Sequence, residues 1–252
     1  MQLFGDYHTH TGYSDGRGSM EDVVRAAIAC GLKEVTISDH SFTSPSIGAL
    51  TVEKYKKQRE QLPKLREKYP QISILHSVEA NILNYEGTID LPAEVMGELD
   101  IIIAGFHLSA WPGIKDWYSF IWKGVKSKFI APSAAQRARN TAALINTIKK
   151  YDIDVLAHPD SVLRTDIKDV AKACADYGTL FEINVKHLDS LSPLLEDILS
   201  TDVTLIANTD AHYPERVGEF SKVRSFIAAH NIEPSRIANW ESGPRFRSQR
   251  RV

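Results

Sequence analysis

Six histidines and four carboxylates stand where short apolar runs of the chain end: His8, His10 and Asp15, then Asp39 with His40, Glu79, His107, His158, and finally Asp210 with His212. A single histidine after a strand is more often a packed or capping group than a ligand. Six arriving at the same end of successive crossings need one common explanation. Neutral imidazoles packed together would leave buried ring nitrogens without donors, and a divalent cation resolves this by accepting their lone pairs. His8-Thr9-His10 adds geometry, because alternate side chains of an extended segment point the same way and can chelate one ion. Mixed imidazole and carboxylate donors suit Zn, Mn or Fe better than Ca or Mg. His76, near a strand start, and His230, at a helix end that favours a cation, take structural readings. His187, in a loop, is the remaining histidine and is a candidate substrate contact.

The elements that must position these residues are legible as periodicity. β-Branched apolar runs at 3–7, 34–37, 72–78, 100–105, 154–157, 179–185 and 203–207, bounded by Gly, Pro, Asp or Asn, predict seven strands. Helical spacing between them predicts helices at 20–30, 52–69, 134–150, 167–177, 191–200 and 215–230. Ser19 with Asp22 fits a capping start, Gly31 a helix end, and Pro193 and Pro214 first turns. Strands alternating with helices imply a parallel α/β architecture, since a parallel neighbour requires a crossover. No Gly-rich phosphate loop follows the first strand, which favours a single barrel domain over a dinucleotide-binding fold. In such a barrel the strand ends of one polarity open on one face, so residues two hundred positions apart converge.

The 252 residues, with 30 basic and 32 acidic side chains, 14 Gly and 11 Pro, exclude a disordered, collagen-like or coiled-coil chain. A formal charge of -2 gives no bulk reason to expect nucleic acid as a partner, and no apolar run is long enough for a membrane span or signal peptide. Cys30 and Cys174 are expected as buried thiols, and the expected location is cytoplasmic. The barrel is expected over 1–240, followed by a tail from 241 whose four arginines from Arg245 onward suggest a solvated end. An insertion at 108–133, carrying Trp111, Trp117, Trp122 and Lys115, Lys123, Lys126 and Lys128, is a lid, an oligomer contact or simple packing over the barrel. The oligomeric state is left open.

The segments His8-Thr-His10-Thr-Gly-Tyr-Ser-Asp15-Gly, Ile37-Ser-Asp39-His40, Val78-Glu79-Ala-Asn81-Ile, Ala104-Gly-Phe-His107, Ala157-His158-Pro and Asn208-Thr-Asp210-Ala-His212 resemble, in order, the motifs of the PHP (polymerase and histidinol phosphatase) family. The likeness runs from about residue 3 to residue 240 and is greatest to the small stand-alone bacterial phosphatases. It implies a distorted (β/α)7 barrel, TIM-like, with three divalent ions. By that resemblance His8, His10 and Asp210 would hold one ion and Glu79 would bridge to a second, held also by His107 and His158. Asp15, His40 and His212 would hold the third. Some relatives have histidine at the position of Asp15. Asp39 is expected to orient a ligand imidazole, as metal-bound histidines usually require.

The activity that follows is hydrolysis of a small phosphomonoester by a metal-activated hydroxide, with Glu79, Asp210 and Asp39 as the catalytic carboxylates. Arg17 is either a phosphate contact or an exposed loop arginine. Asn184 and Lys186, on one face of a strand end, either touch substrate or cap the barrel mouth. Three other readings compete: a phosphodiesterase or exonuclease using the lysines and tryptophans of 108–133 for stacking and backbone contacts, a metal-dependent amidohydrolase, and a degenerate barrel kept as an interaction module. The Asp15, His40 and His212 set favours phosphate over amide.

Overall fold

Eight short strands form among residues 3–247, the part of the chain described by the computed structural model: β1 (Gly5–Asp6), β2 (Glu34–Ile37), β3 (Ser73–His76), β4 (Glu79–Asn81), β5 (Ile103–Gly105), β6 (Val155–Leu156), β7 (Leu180–Asn184) and β8 (Leu205–Asn208). They make two parallel sheets, ordered β1-β2-β3 and β4-β5-β6-β7-β8. The apolar run at 72–78 is thus not one strand. Its first half pairs back with β2, from Glu34↔Ser73 to Ile37↔His76, and after Ser77 and Val78 the chain pairs forward with β5.

Two parallel bridges join the sheets, Thr9↔Ala211 and His40↔Glu79. At the first, His10 N–H donates to the Ala211 carbonyl (2.8 Å) and Ala211 N–H to the His8 carbonyl (3.3 Å). At the second, Glu79 N–H donates to Asp39 O (3.1 Å) and Ser41 N–H to Glu79 O (3.0 Å). These seams complete a ring of seven crossings, the distorted (β/α)7 barrel. Both seams are made of residues that end in the histidine and carboxylate motifs.

Alternation along the strands divides the core. Tyr7, Ile101, Ile103, Val155, Leu180 and Ile206 pack inside the ring, while residues such as Ile37, Ala80, Leu156, Phe181 and Ala207 face the helices. The helix Met20–Ala29 starts on the expected capping box, Ser19 with Asp22. The predicted helix at 191–200 is broken into Leu188–Leu191, a 3-10 turn and Leu195–Leu199 around Pro193. The one predicted at 215–230 is a 3-10 turn followed by Ser221–Ala229, because Gly218 turns at φ 73 to give its N–H to Asp6 (3.0 Å). A Cβ there would lie 2.9 Å from Cys30 Cβ.

Two expectations are corrected. Cys174 is buried, but Cys30 is exposed, and no disulfide joins them. The tail does not leave the body at 241. Phe246 is buried inside the ring, edge-on to Tyr7 at 5.3 Å, and Arg247 pairs with Asp152 (2.9 Å). The remaining arginine-rich residues, 248–252, lie outside the described residues. The insertion is helical, Ile114–Asp116, a π turn at Trp117–Ile121 and Trp122–Phe129, anchored by buried Phe120 and Ile121. Among its described residues, Leu108 and Ser109 line the cleft over the strand ends. No helix among the described residues is long and apolar enough to cross a membrane.

Phe246→Ala should lower unfolding free energy by about 3–5 kcal/mol in urea melts, since it removes the aromatic plug of the ring. A second prediction concerns His76, buried and stacked on Tyr55 at 5.4 Å. Burial, with Arg59 and Arg66 adding like charge, holds its pKa down to about 3 from 6.5. Unfolded His76 takes a proton near 6.5 and folded His76 does not until about 3. Stability therefore falls as pH drops through that window, by up to about 1.4 kcal/mol per pH unit. His76→Phe should lose stability less steeply between pH 7 and 4; parallel slopes for the two proteins would refute this.

Candidate metal centre

The strand ends bring all the predicted ligand residues to one face, around Glu79. Its carboxylate is fully buried and meets five imidazoles: His40 Nδ1 (2.9 Å), His8 Nε2 (3.3 Å) and His10 Nε2 (3.6 Å) at Oε2, and His158 Nε2 (2.9 Å) and His107 Nε2 (3.0 Å) at Oε1. Asp210 lies 3.3 Å from His10 Nε2 and 4.0 Å from His8 Nε2. Asp15 and His212 close the outer side at 3.2 Å, with His40 Nε2 3.6 Å from Asp15. Three groups have ligand atoms within 4.8 Å of one another: His8, His10 and Asp210; His40, Glu79 and His107; and His10, Asp15, His40 and His212. His158 completes the second neighbourhood, 3.3 Å from His107.

Local backbone aims these groups. His158 and Asp210 both sit at positive φ, 30° and 51°, a sparsely populated region for side-chain-bearing residues. Gly105 lies where a Cβ would come within 3.0 Å of the His158 ring and 3.3 Å of the His107 ring. Glycine thus leaves room for both imidazoles.

Behind the ligand face stands Glu182, which the sequence reading missed. It is buried in β7 and accepts four hydrogen bonds: from His8 Nδ1 (2.7 Å), Asn208 Nδ2 (2.9 Å), the His158 N–H (2.7 Å) and Asn184 Nδ2 (3.0 Å). An ionised carboxylate only accepts, so His8 Nδ1 carries a proton, and Nε2, which faces Glu79 and Asp210, is the ring nitrogen left to bind a cation. Asn81 does the same for His107, accepting from Nδ1 at 2.8 Å. The signal for Glu182 was available: it is an acid inside an apolar strand, two residues before Asn184 and so on the same face.

The electrostatics show what the cluster lacks. Burial disfavours the charged form of Glu79, but His107, His8 and His40 outweigh it and hold the carboxyl well below its usual range. Asp210 is likewise held far down, against burial, by His8, His10, His212 and Lys186. Burial lowers His8, yet Glu79, Glu182 and Asp210 raise it well above an ordinary imidazole. His212 rises against burial to about 9 beside Asp15 and Asp210, while Asp15 falls to about 2. Burial and the neighbouring His40 and His212 push His10 down to about 3, and neither of its ring nitrogens has a hydrogen-bond partner. His8 Nε2, His40 Nδ1 and Glu79 Oε2 are also without one, although the last two are 2.9 Å apart, out of hydrogen-bond alignment. Lone pairs that converge in a buried volume without donors fit divalent cations.

Other predicted site residues fall differently. Asp39 touches no imidazole through a hydrogen bond. Its carboxylate accepts from Thr11 N–H and hydroxyl (both 2.7 Å), Ser14 (2.5 Å) and Gln58 (2.5 Å), so it fixes the loop that carries Asp15. Asn184 is buried and gives its amide to Glu182 and to Asp210 (3.2 Å), which corrects its reading as a substrate contact. Arg17 is exposed and lies outside the cleft lining. Lys186 and His187 do line the cleft. Lys186 Nζ lies 3.0 Å from Asp210 and 2.8 Å from His212 Nδ1, and His187 stands edge-on to His158 at 5.5 Å.

Residues 6–189 match the PHP domain, and the chain belongs to that family. It is 30% identical over 227 residues to a DNA polymerase/3'-5' exonuclease of Bacillus subtilis (strain 168), covering 86% of this chain but 36% of that protein. A probable phosphatase of Shewanella sp. (strain ANA-3) is 27% identical over 249 residues, covering 95% of this chain and 88% of its own. Among solved structures, histidinol phosphate phosphatase from Lactococcus lactis, complexed with zinc, L-histidinol and phosphate, shares the fold with a TM-score of 0.60 at 20% identity, covering 92% of this chain and 95% of that one.

Removing a partner that orients metal-ligating histidines typically costs 10–100-fold in metal affinity. Glu182→Gln should weaken metal binding by about that factor in a competition titration with a chromophoric chelator, with the fold retained by circular dichroism. Unchanged affinity would mean that Glu182 serves packing alone.

Proposed function

We propose that this protein is a metal-dependent phosphoesterase that hydrolyses small phosphomonoesters over Glu79. The observation that carries the proposal is the set of buried, unpartnered nitrogens of His8, His10 and His40 converging with Glu79 Oε2. In this reading His8, His10 and Asp210 hold one divalent ion, Glu79, His107 and His158 a second, and Asp15, His40 and His212 a third, with Glu79 between sites. The ions are Zn, Mn or Fe, on the chemistry of the donors. When bound, they supply Lewis acidity, activating water near neutral pH and offsetting charge on the phosphoryl oxygens.

The chain's own residues do the rest. Glu182 and Asn81 hold the His8 and His107 tautomers that present Nε2, and Asp39 holds the Asp15 loop. Lys186 stands on the cleft wall beside Asp210 and His212, where its ammonium can meet a phosphoryl oxygen, and His187 borders the same space. The cleft, about 350 Å³, is of the size that takes a small ligand. No serine or cysteine nucleophile is needed. The Shewanella relative's name and the phosphate in the Lactococcus structure support the same chemistry.

A phosphodiesterase reading has one feature in its favour besides the Bacillus relative: Trp111 and Trp122 are exposed on the insertion near Lys123 and Lys126. A single experiment separates the two. Chelator-treated protein should release no phosphate, and Zn, Mn or Fe should restore release from a panel of phosphomonoesters with little from diesters and oligonucleotides. Restored activity on diesters alone would overturn the monoester reading. Glu79→Gln should lower kcat by about 100- to 1000-fold, the scale of removing a group central to charge stabilisation; normal turnover with full metal content would refute the role given to Glu79.

A further inference from the structure

Three cavities open in a row beside the cluster, and Lys186 lines all of them. The cleft over Glu79 shares Lys186, Asp210 and His212 with a more enclosed cavity of about 460 Å³. That middle cavity shares Val185, Lys186 and Lys222 with a groove of about 620 Å³ along the helix Ser221–Ala229. Its wall is mostly apolar, with Val185, Ala211 and Tyr213, and it also carries the cations Arg216 and Lys222. Both are exposed, and the acid they face is Glu219, which hydrogen bonding from Ser221 first and these two cations after it hold below its usual range. The acid between them, Glu219, is committed to the helix start, where Oε1 accepts from the Ser221 N–H (3.3 Å) and hydroxyl (2.5 Å). Asp210 faces Lys186 instead.

An apolar passage with a phosphoryl site at one end and two cations sharing a single acid at the other describes its ligand. We infer that the middle cavity receives the leaving group of the substrate, and that Arg216 and Lys222 bind a second anionic group, phosphate or carboxylate, at the far end of an apolar body. The inference rests on the phosphoesterase reading. Water's oxygen forms the new bond to phosphorus as the bond from phosphorus to the ester oxygen breaks, and one proton of that water ends on the departing ester oxygen. The alcohol product leaves with the second anion still attached, and inorganic phosphate leaves from the cluster. A solvated pair of cations with no ligand is the competing account, and chain length separates the two: only a built subsite prefers one spacing between anions.

The test uses metal-replete protein and non-hydrolysable phosphonates, measured by calorimetry. Over a narrow range of chain lengths, α,ω-alkane bisphosphonates should bind about ten- to hundredfold tighter than alkyl monophosphonates of equal length, the range expected for a charge-assisted contact. A parallel series of ω-carboxyalkyl phosphonates identifies which anion is preferred. In Lys222→Glu and in Arg216→Ala with Lys222→Ala, the ratio of the two affinities should fall toward one. Equal binding at every length, or a ratio that persists in these variants, overturns the inference. Turnover of the matching esters tells the two levels apart. Phosphate release with no preference for bis-anionic esters overturns this inference alone. A binding preference with no release from any ester supports the anion site and overturns the phosphoesterase reading.

Discussion

The molecule is organised by a demand for positive charge around one buried carboxylate. Glu79 has no exposure to water and is encircled by ring nitrogens, which either share protons with it or share cations. Neither carboxylates alone nor imidazoles alone would be tolerated at this density: the first repel, the second strand their lone pairs. The mixture is stable when charge is supplied to it, and the depressed Glu79 and Asp210 and the elevated His8 and His212 all record that need. Glu182 works on the opposite side. With four donors it is a satisfied acid, and it spends its charge on fixing how His8 and His158 present themselves.

The barrel is built to meet this demand. Its strands are short, two to five residues, and the ring is joined at two seams by residues of the ligand motifs themselves. Sheet regularity is lowest where the histidines stand, and backbone at positive φ is found there too. Apolar packing inside the ring, sealed by Phe246, and outside it against the helices carries the stability that these irregular ends do not. Precise side-chain placement at the strand ends therefore comes from second partners, Glu182, Asn81 and Asp39, rather than from long ladders.

Much of this was legible in the sequence because two periodicities suffice to place strand ends. His8, His10, His40, His107, His158 and His212 were found by position alone. What was not legible involves choices of partner. The run 72–78 is uniformly apolar, and nothing in its pattern records that it changes neighbour after His76. Asp39 was expected to orient a ligand imidazole, as metal-bound histidines usually require, whereas it reaches Thr11, Ser14 and Gln58, the last brought to it by the packed helix Val52–Lys68. Asn184 was visible as polar and strand-terminal, but its direction, into the network and away from solvent, depends on the twist of the ring. Phe246 was masked by the arginines beside it, a reminder that composition averages over single anchoring residues.

The seam at Thr9↔Ala211 and the plug at Phe246 have a consequence for how the molecule is made. The first strand is made about two hundred residues before β8 and has no partner on one side until β8 and the Ala211 turn exist. Phe4 and Leu3 wait longer still, for Asn239 and Trp240. Pairings separated by more than two hundred residues are slow to find, and an unpaired edge is a site for wrong association in the meantime. The ring thus closes only once the segment from β8 to Trp240 has been made, and His8 and His10 join the other ligands only at that moment. Until then the nascent chain holds an incomplete set of donors, so full cation capture reports that the barrel has closed.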